Sequence, residues 1–300
     1  KALWAIYLGL TLLCAAAYYL AGMSLFDAIC HSFATVAIGG FSTHDASIGY
    51  FDSPLIEGIC MFFMFLAGIN FSLHYLSWRH KSLSNYFQDA EFRAYTIVLG
   101  LVALLTCIAL YALDSHSGWS GLRHGVFQAI SISTTAGFTT ENFSHWPPFA
   151  TSVLLLASFI GGCAGSTGGG IKVIRALSLF RQGLREIFLL IHPNVQTSIK
   201  IGGKSLSPAI IKAIWGFFAL YIASFCLMSL ALTATGIDMI TAFSSVAACI
   251  NNLGPALGQA GENFTHINPL SKWILCFAML LGRLEVFTLL VLFTPWFWKK

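Results

Sequence analysis

Charge is what this 300-residue chain has least of: Asp, Glu, Lys and Arg together make up 9% of it, against 57% hydrophobic residues. Soluble domains carry about 25% charged residues, so a water-facing globule of this size would lack its polar surface. A soluble enzyme is excluded. Disorder is excluded too, because 26 Phe, 8 Trp and 9 Tyr demand burial. The formal charge is only +4, and the 16 basic residues are scattered rather than gathered into a stripe, so nucleic acid is no partner. Paired cysteines are also missing. Cys14, Cys30, Cys60, Cys107, Cys163, Cys226, Cys249 and Cys276 each stand alone, without CxxC spacing. They read as small buried hydrophobes rather than metal ligands or disulfides. The apolar run from Ala2 lacks a cleavage site and a soluble sequence behind it, so it reads as a span and not a signal peptide. With a mean hydropathy of +0.76, what is left is a polytopic membrane protein.

About 20 apolar residues cross the hydrocarbon core as a helix. Six stretches reach that length: 2–22, 53–77, 93–113, 149–190, 207–236 and 268–298. The fourth is too long for one helix and is interrupted by the Gly-rich run 161–170. Basic residues set the orientation. Of the 16, only Arg123 and Lys272 fall on one side and Arg283 lies inside the last stretch; the rest, Lys1, Lys172, Lys299 and Lys300 among them, mark the cytoplasmic face. Asp45, Asp52, Glu57, Asp114, Glu141, Asp238 and Glu262 then lie at the outer face, as a cation-attracting rim or as plain solvated surface.

Between stretches one and two, three and four, and five and six lie segments too short to cross and too apolar for loops: 24–42, 119–140 and 238–255. Each contains an inward-running half-helix (24–36, 120–134, 239–249) and ends in a strip of small residues. Their last glycines are Gly40, Gly137 and Gly254, and Gly-Phe-Ser-Thr at 40–43 matches Gly-Phe-Thr-Thr at 137–140. Recurrence on this scale implies one supersecondary unit used three times, with units at 1–80, 81–200 and 201–300. The fold class is therefore all-α and polytopic, with repeated helix, pore-helix, helix units around a pore. Irregular backbone survives at membrane depth only where protein or a water-filled cavity satisfies it. Glycine lets successive carbonyls turn toward one axis, and the half-helices aim their partly negative C-termini at the membrane centre. That is a site for a dehydrated monovalent cation. Three units of about a quarter-turn each leave one quadrant unfilled, so the arrangement is pseudo-fourfold with three of four repeats present, and a further unit is expected upstream of Lys1.

Two other features carry chemistry. A phosphate loop would need GxxxxGK[ST], but Gly170 is followed by Ile171 before Lys172. A charge inside a span is expensive and by default functional; Arg283 has Glu285 only two residues on, pointing elsewhere, so the free carbonyls of 161–170 are its natural acceptors. Asn70 either lines an inner cavity or bonds to a neighbouring helix.

The segments AIGGFSTHD (37–45), INFSLHYLSWR (69–79), STTAGFTT (133–140), GGCAGSTGGGIKVIR (161–175), NNLGP (251–255) and GRLEVFTLL (282–290) resemble the Trk/Ktr/HKT family of potassium transporters, in particular its TrkH-type pore subunits. The resemblance runs over the whole chain and matches that family's second to fourth repeats. It implies potassium uptake across a bacterial inner membrane, with potassium as substrate and no cofactor in this chain. Its implied partners are a second copy in a homodimer, a cytoplasmic nucleotide-binding regulatory ring of the TrkA type, and membrane lipid. By the same resemblance Ile38, Gly39, Gly40, Thr135, Ala136, Gly137, Asn252, Leu253 and Gly254 line a selectivity filter. Gly165, Ser166, Thr167, Gly168, Gly169, Gly170 and Arg283 form an intramembrane gate below it. The other classes considered are an intramembrane serine protease pairing Ser166 with His74, the one histidine deep enough in sequence, and an inverted-repeat carrier. The units all enter from the same side, which disfavours the carrier.

Overall fold

The computed structural model describes residues 2–113, 118–195, 197–261, 263–284 and 286–298. Lys1, Asp114, Glu262, Glu285, Lys299 and Lys300, which enter the charge reading above, lie outside the described residues. The chain runs α1 (Ala2–Leu20), α2 (Leu25–Val36), α3 (Pro54–Ala67), α4 (Phe71–His80), α5 (Ser84–Gln88), α6 (Ala90–Ala112), α7 (Gly118–Ser133) and α8 (Pro148–Ile160). It continues through α9 (Val173–Ile191), a hairpin of β1 (Lys200–Ile201) and β2 (Lys204–Ser205), α10 (Pro208–Ala234), α11 (Met239–Ile250), α12 (Pro269–Arg283), α13 (Val286–Leu292) and α14 (Pro295–Trp298).

Local chemistry places the starts. Ser53-Pro54, Ser207-Pro208 and Asn268-Pro269 each put a capping side chain before a proline at the first helical position, opening α3, α10 and α12. Ser24 and Asp238 cap the half-helices α2 and α11 in the same way. Only α1, α6 and α10 are single helices long and apolar enough to cross a bilayer, among the described residues.

The second stretch is not the single span its composition predicts. It breaks between Ala67 and Phe71, and α3 and α4 bend by 92°. The last stretch breaks as well, α12 ending at Arg283. The reason for the first break is tertiary. Gly68 O accepts Cys163 N at 2.8 Å, Phe71 N donates to Gly165 O at 3.1 Å, and the Asn70 side chain accepts from Ser72 N to cap α4. The backbone groups freed by the bend are satisfied by the Gly-rich loop 161–170, a partner hydropathy cannot show.

Three apolar cores surround the three half-helices, and they interlock. The core of α1–α3 takes in Ala136 and Phe138 from the strip after α7. The core of α6–α8 takes in Leu253 from the strip after α11. The core around α10–α13 includes Ile171, the residue just after the loop.

One ion pair ties α3 to α7: Arg123 grips Glu57 through Nε (2.6 Å) and Nη2 (2.7 Å) and reaches Asp52 at 3.1 Å. Glu57 is 1% exposed, so two of the residues read as outer-face acids serve as a clamp rather than a free rim. Removing one partner of such a pair strands a buried charge, at a cost of about 3–5 kcal/mol. Arg123→Ala is therefore expected to lower the thermal midpoint in detergent more than the Glu57→Ala/Arg123→Ala double variant does. A double variant as unstable as the two singles summed would contradict the pairing.

Candidate functional site

The three strips share one backbone geometry. In each, two hydrogen bonds close the half-helix: Ile38 N to Thr35 O (3.1 Å) and Gly39 N to Ala34 O (2.7 Å); Thr135 N to Ile132 O (3.1 Å) and Ala136 N to Ser131 O (2.8 Å); Asn252 N to Cys249 O (3.1 Å) and Leu253 N to Ala248 O (2.8 Å). This is the Schellman closure. It puts Ile38, Thr135 and Asn252 at positive φ (52°, 66° and 56°), and two residues later Gly40, Gly137 and Gly254 are positive again (66°, 83° and 101°). Asn tolerates that region, but Ile and Thr are β-branched and strained there. A positive, negative, positive alternation turns successive carbonyls toward one side instead of alternating them as in a strand.

The strips also meet. A Cβ added at Gly40 would lie 2.1 Å from Ala136 O, and one at Gly137 would lie 1.9 Å from Leu253 O. No side chain fits at either place. Above them Gly40, Gly137 and Gly254 open into one cavity of 840 Å³, whose lining includes Asp45 and Glu141. Taking the orientation set by the basic residues, this is the outer side.

The Gly-rich loop lies directly under the strips and touches the C-terminal end of every half-helix. Thr167 Oγ1 donates to Val36 O at 2.8 Å, and Gly169 N donates to Thr135 Oγ1 at 2.7 Å. A Cβ at Gly169 would come within 2.0 Å of Asn251 O. Arg283 Nη1 donates to Thr167 O at 3.4 Å, the loop-carbonyl contact expected of it. Arg283 is exposed to a second cavity, of 330 Å³, below the loop, rather than enclosed among apolar side chains. It also ends α12, where a cation favours the helix dipole.

Sequence reasoning missed three contributors. Lys172, counted among the cytoplasmic basic residues, donates to Gly168 O and lines the same lower cavity as Arg283, which is therefore not the single cation at this depth. Glu91, 7% exposed, accepts Ala164 N (2.6 Å) and Ile174 N (3.1 Å), tying the loop to the first turn of α9. A carboxylate at the head of a long apolar run was its visible signal. Asn251 is held by Tyr221 Oη (2.5 Å) and itself donates to Ser158 Oγ (3.0 Å), fixing the third strip. Among the histidines His31 is fully buried, contacting Ser42 Oγ at 2.9 Å, and His74 nearly so.

Half-helices that point irregular, glycine-bearing strips at one another from the same side define a class, the multi-pass membrane proteins built on re-entrant pore segments. Over residues 1–300 the chain matches the family described as "TrkH: Cation transport protein", and it belongs to that family. It is 52% identical over 300 residues to the Trk system potassium uptake protein TrkH of Halomonas elongata, and 53% identical over 304 residues to that of Escherichia coli K12. Each match covers 100% of this chain and 62% of the relative, so the chain spans under two thirds of their length. A crystal structure of the potassium transporter TrkH from Vibrio parahaemolyticus superposes with a TM-score of 0.95 at 50% identity, covering 100% of this chain and 64% of that one.

The Gly169 contact gives a direct test. Gly169→Ala is expected to push the loop off the third strip and to lower the thermal midpoint measurably, whereas Gly100→Ala, with nothing within 4 Å of its Cβ, leaves it unchanged or raised. Equal midpoints for the two variants would refute the close packing of loop on strip.

Proposed function

We propose that this chain supplies three of the four sectors of a potassium-uptake pore in a bacterial inner membrane. Potassium moves between the strips, with Ile38, Gly39, Gly40, Thr135, Ala136, Gly137, Asn252, Leu253 and Gly254 replacing water around the ion through backbone carbonyls. The observation that carries this reading is the threefold recurrence of one strained, alternating backbone at residues that meet side by side. The repeats are residues 1–80, 81–200 and 201–300. Gly254 differs from Gly40 and Gly137 in having no atom of the described residues within 4 Å of its Cβ position, and a fourth strip of the same kind on that side would close the ring.

The loop is the gate. Gly165, Ser166, Thr167, Gly168, Gly169 and Gly170 occupy the exit from the strips, and Arg283 with Lys172 holds the loop's carbonyls while repelling a passing cation. The resemblance adds a homodimer and a cytoplasmic nucleotide-binding ring of the TrkA type as regulator. The ion is substrate, and no cofactor enters the scheme. Several curated relatives are named as potassium uptake proteins, which supports a transporter that is not an enzyme.

The protease reading meets a specific obstacle. Ser166 Oγ donates to Cys163 O at 2.6 Å, and both ring nitrogens of His74 are engaged elsewhere, by Leu66 O and Tyr86 Oη. Ser166 and His74 are therefore not paired with each other.

Two outcomes follow in the full-length protein. Gly137→Ser crowds the strips and is expected to reduce potassium over sodium discrimination, read as loss of growth of an uptake-deficient strain at low potassium with sodium added; unchanged growth and rubidium uptake would reject the filter assignment. Deleting Ala164 to Gly169, or making Arg283→Ala, is expected to raise basal rubidium flux several-fold without the regulator. Flux that stays level or falls in both, at normal expression, would sink the gate and leave the filter standing.

A further inference from the structure

The helix that follows the loop, α9, carries a feature the pore does not use. Its residues Phe180, Leu184, Ile187 and Ile191, at helical spacing, expose an apolar stripe to the surroundings. Arg181 and Arg185 flank that stripe on the helix surface. This is the pattern of a helix lying at the headgroup boundary of a membrane leaflet.

Beside Arg185 a groove of 390 Å³ runs between α9, the segment before the β1–β2 hairpin and the start of α10, lined among others by Gln182, Arg185, Thr197, Lys212 and Trp215. Two polar atoms in this lining, Gln182 Oε1 and Thr197 Oγ1, are buried without a hydrogen-bond partner among the described residues. Gln182 is itself only 9% exposed. The direction of its amide is fixed, because its Nε2 donates to the Glu186 carboxylate; turning it over would set oxygen against oxygen. Gln182 Oε1 therefore calls for a donor from the groove, and Thr197 Oγ1 is free to give or take a hydrogen bond.

Arg185 commits Nε to Thr197 O (2.9 Å) and Nη1 to Glu186 (3.2 Å), which leaves further donors of its fork of five. Lys212 adds an exposed ammonium, and Trp215, 43% exposed, is the residue type that sits at headgroup level. We propose that this groove binds the headgroup of an anionic glycerophospholipid of the cytoplasmic leaflet, phosphatidylglycerol in kind. The phosphodiester lies between Arg185 and Lys212 and accepts from the Thr197 hydroxyl. A glycerol hydroxyl donates to Gln182 Oε1, and the acyl chains run along the Phe180–Ile191 stripe. A singly charged phosphodiester suits the place better than a doubly charged free phosphate, because the Glu186 carboxylate stands at its edge. Since α9 starts at Val173, immediately after the loop, a lipid held here steadies the helix from which the gate hangs. That consequence rests on the conduction reading; the binding does not.

The test reads binding rather than flux, so its failure and that of the pore reading are separable. Lipid is titrated onto the purified full-length protein in detergent, and bound lipid is counted by native mass spectrometry alongside the thermal midpoint. Phosphatidylglycerol is expected to bind and raise the midpoint, while phosphatidylcholine and soluble glycerol 3-phosphate do neither. Removing both charges in R185Q/K212Q is expected to weaken apparent binding roughly thirtyfold. Gln182→Leu is expected to weaken phosphatidylglycerol but not phosphatidic acid, which lacks the headgroup hydroxyl; this comparison stands even if the double variant fails to fold. Equal effects of phosphatidylcholine, indifference to all these substitutions, or covering of the stripe by a second copy, seen as Phe180→Cys cross-linking between two chains in lipid, would each overturn the proposal.

Discussion

The structure turns on one constraint: backbone that leaves the helix at membrane depth must find a hydrogen-bond partner within the protein. The strips after α2, α7 and α11 leave the helix there, and so do the loop 161–170 and the break at 68–70. These irregular segments answer one another. The loop's amides and hydroxyls satisfy the Gly68 carbonyl, the end of α2 and the Thr135 hydroxyl, while Glu91 and the break in the second stretch satisfy the loop. The loop is thereby bonded to the ends of the first two half-helices and packed against the third, which sets the proposed gate against the proposed filter.

The same interdependence explains a tension in the loop. Ten residues containing six glycines read as a flexible hinge, yet the structure holds them with hydrogen bonds to Gly68, Phe71, Glu91, Val36 and Thr135. Several of the glycines serve close approach: at Gly169 the nearest carbonyl leaves no room for a methyl group. Arg283 and Lys172 bond to the loop's own carbonyls at Thr167 and Gly168, on the side away from the strips.

Much of this was legible in sequence. The half-helices, the Gly-rich interruption and the spacing of Gly40, Gly137 and Gly254 stand out because glycine and small residues are out of place in apolar runs. The link from Arg283 to a loop carbonyl followed from the cost of an unpartnered charge. What sequence hid was whatever depended on a distant partner. Stretch 53–77 is mostly apolar, and nothing in it announces that Gly68 and Phe71 will bond to Cys163 and Gly165, far along the chain. Glu57 and Arg123 were read separately, as a surface acid and a misplaced base, because their pairing exists only after α3 and α7 pack. Lys172 was hidden by its company, one basic residue in a run that as a whole marks the cytoplasmic side.

The central claim is that the three strips form one carbonyl-lined path for a monovalent cation. The most direct measurement is anomalous scattering from rubidium or thallium in crystals of the full-length protein. The account predicts a peak between the strips at the level of Gly39, Ala136 and Leu253, absent when sodium alone is present. No peak there at saturating rubidium, or heavy-ion density confined to the outer cavity beside Asp45 and Glu141, would contradict it.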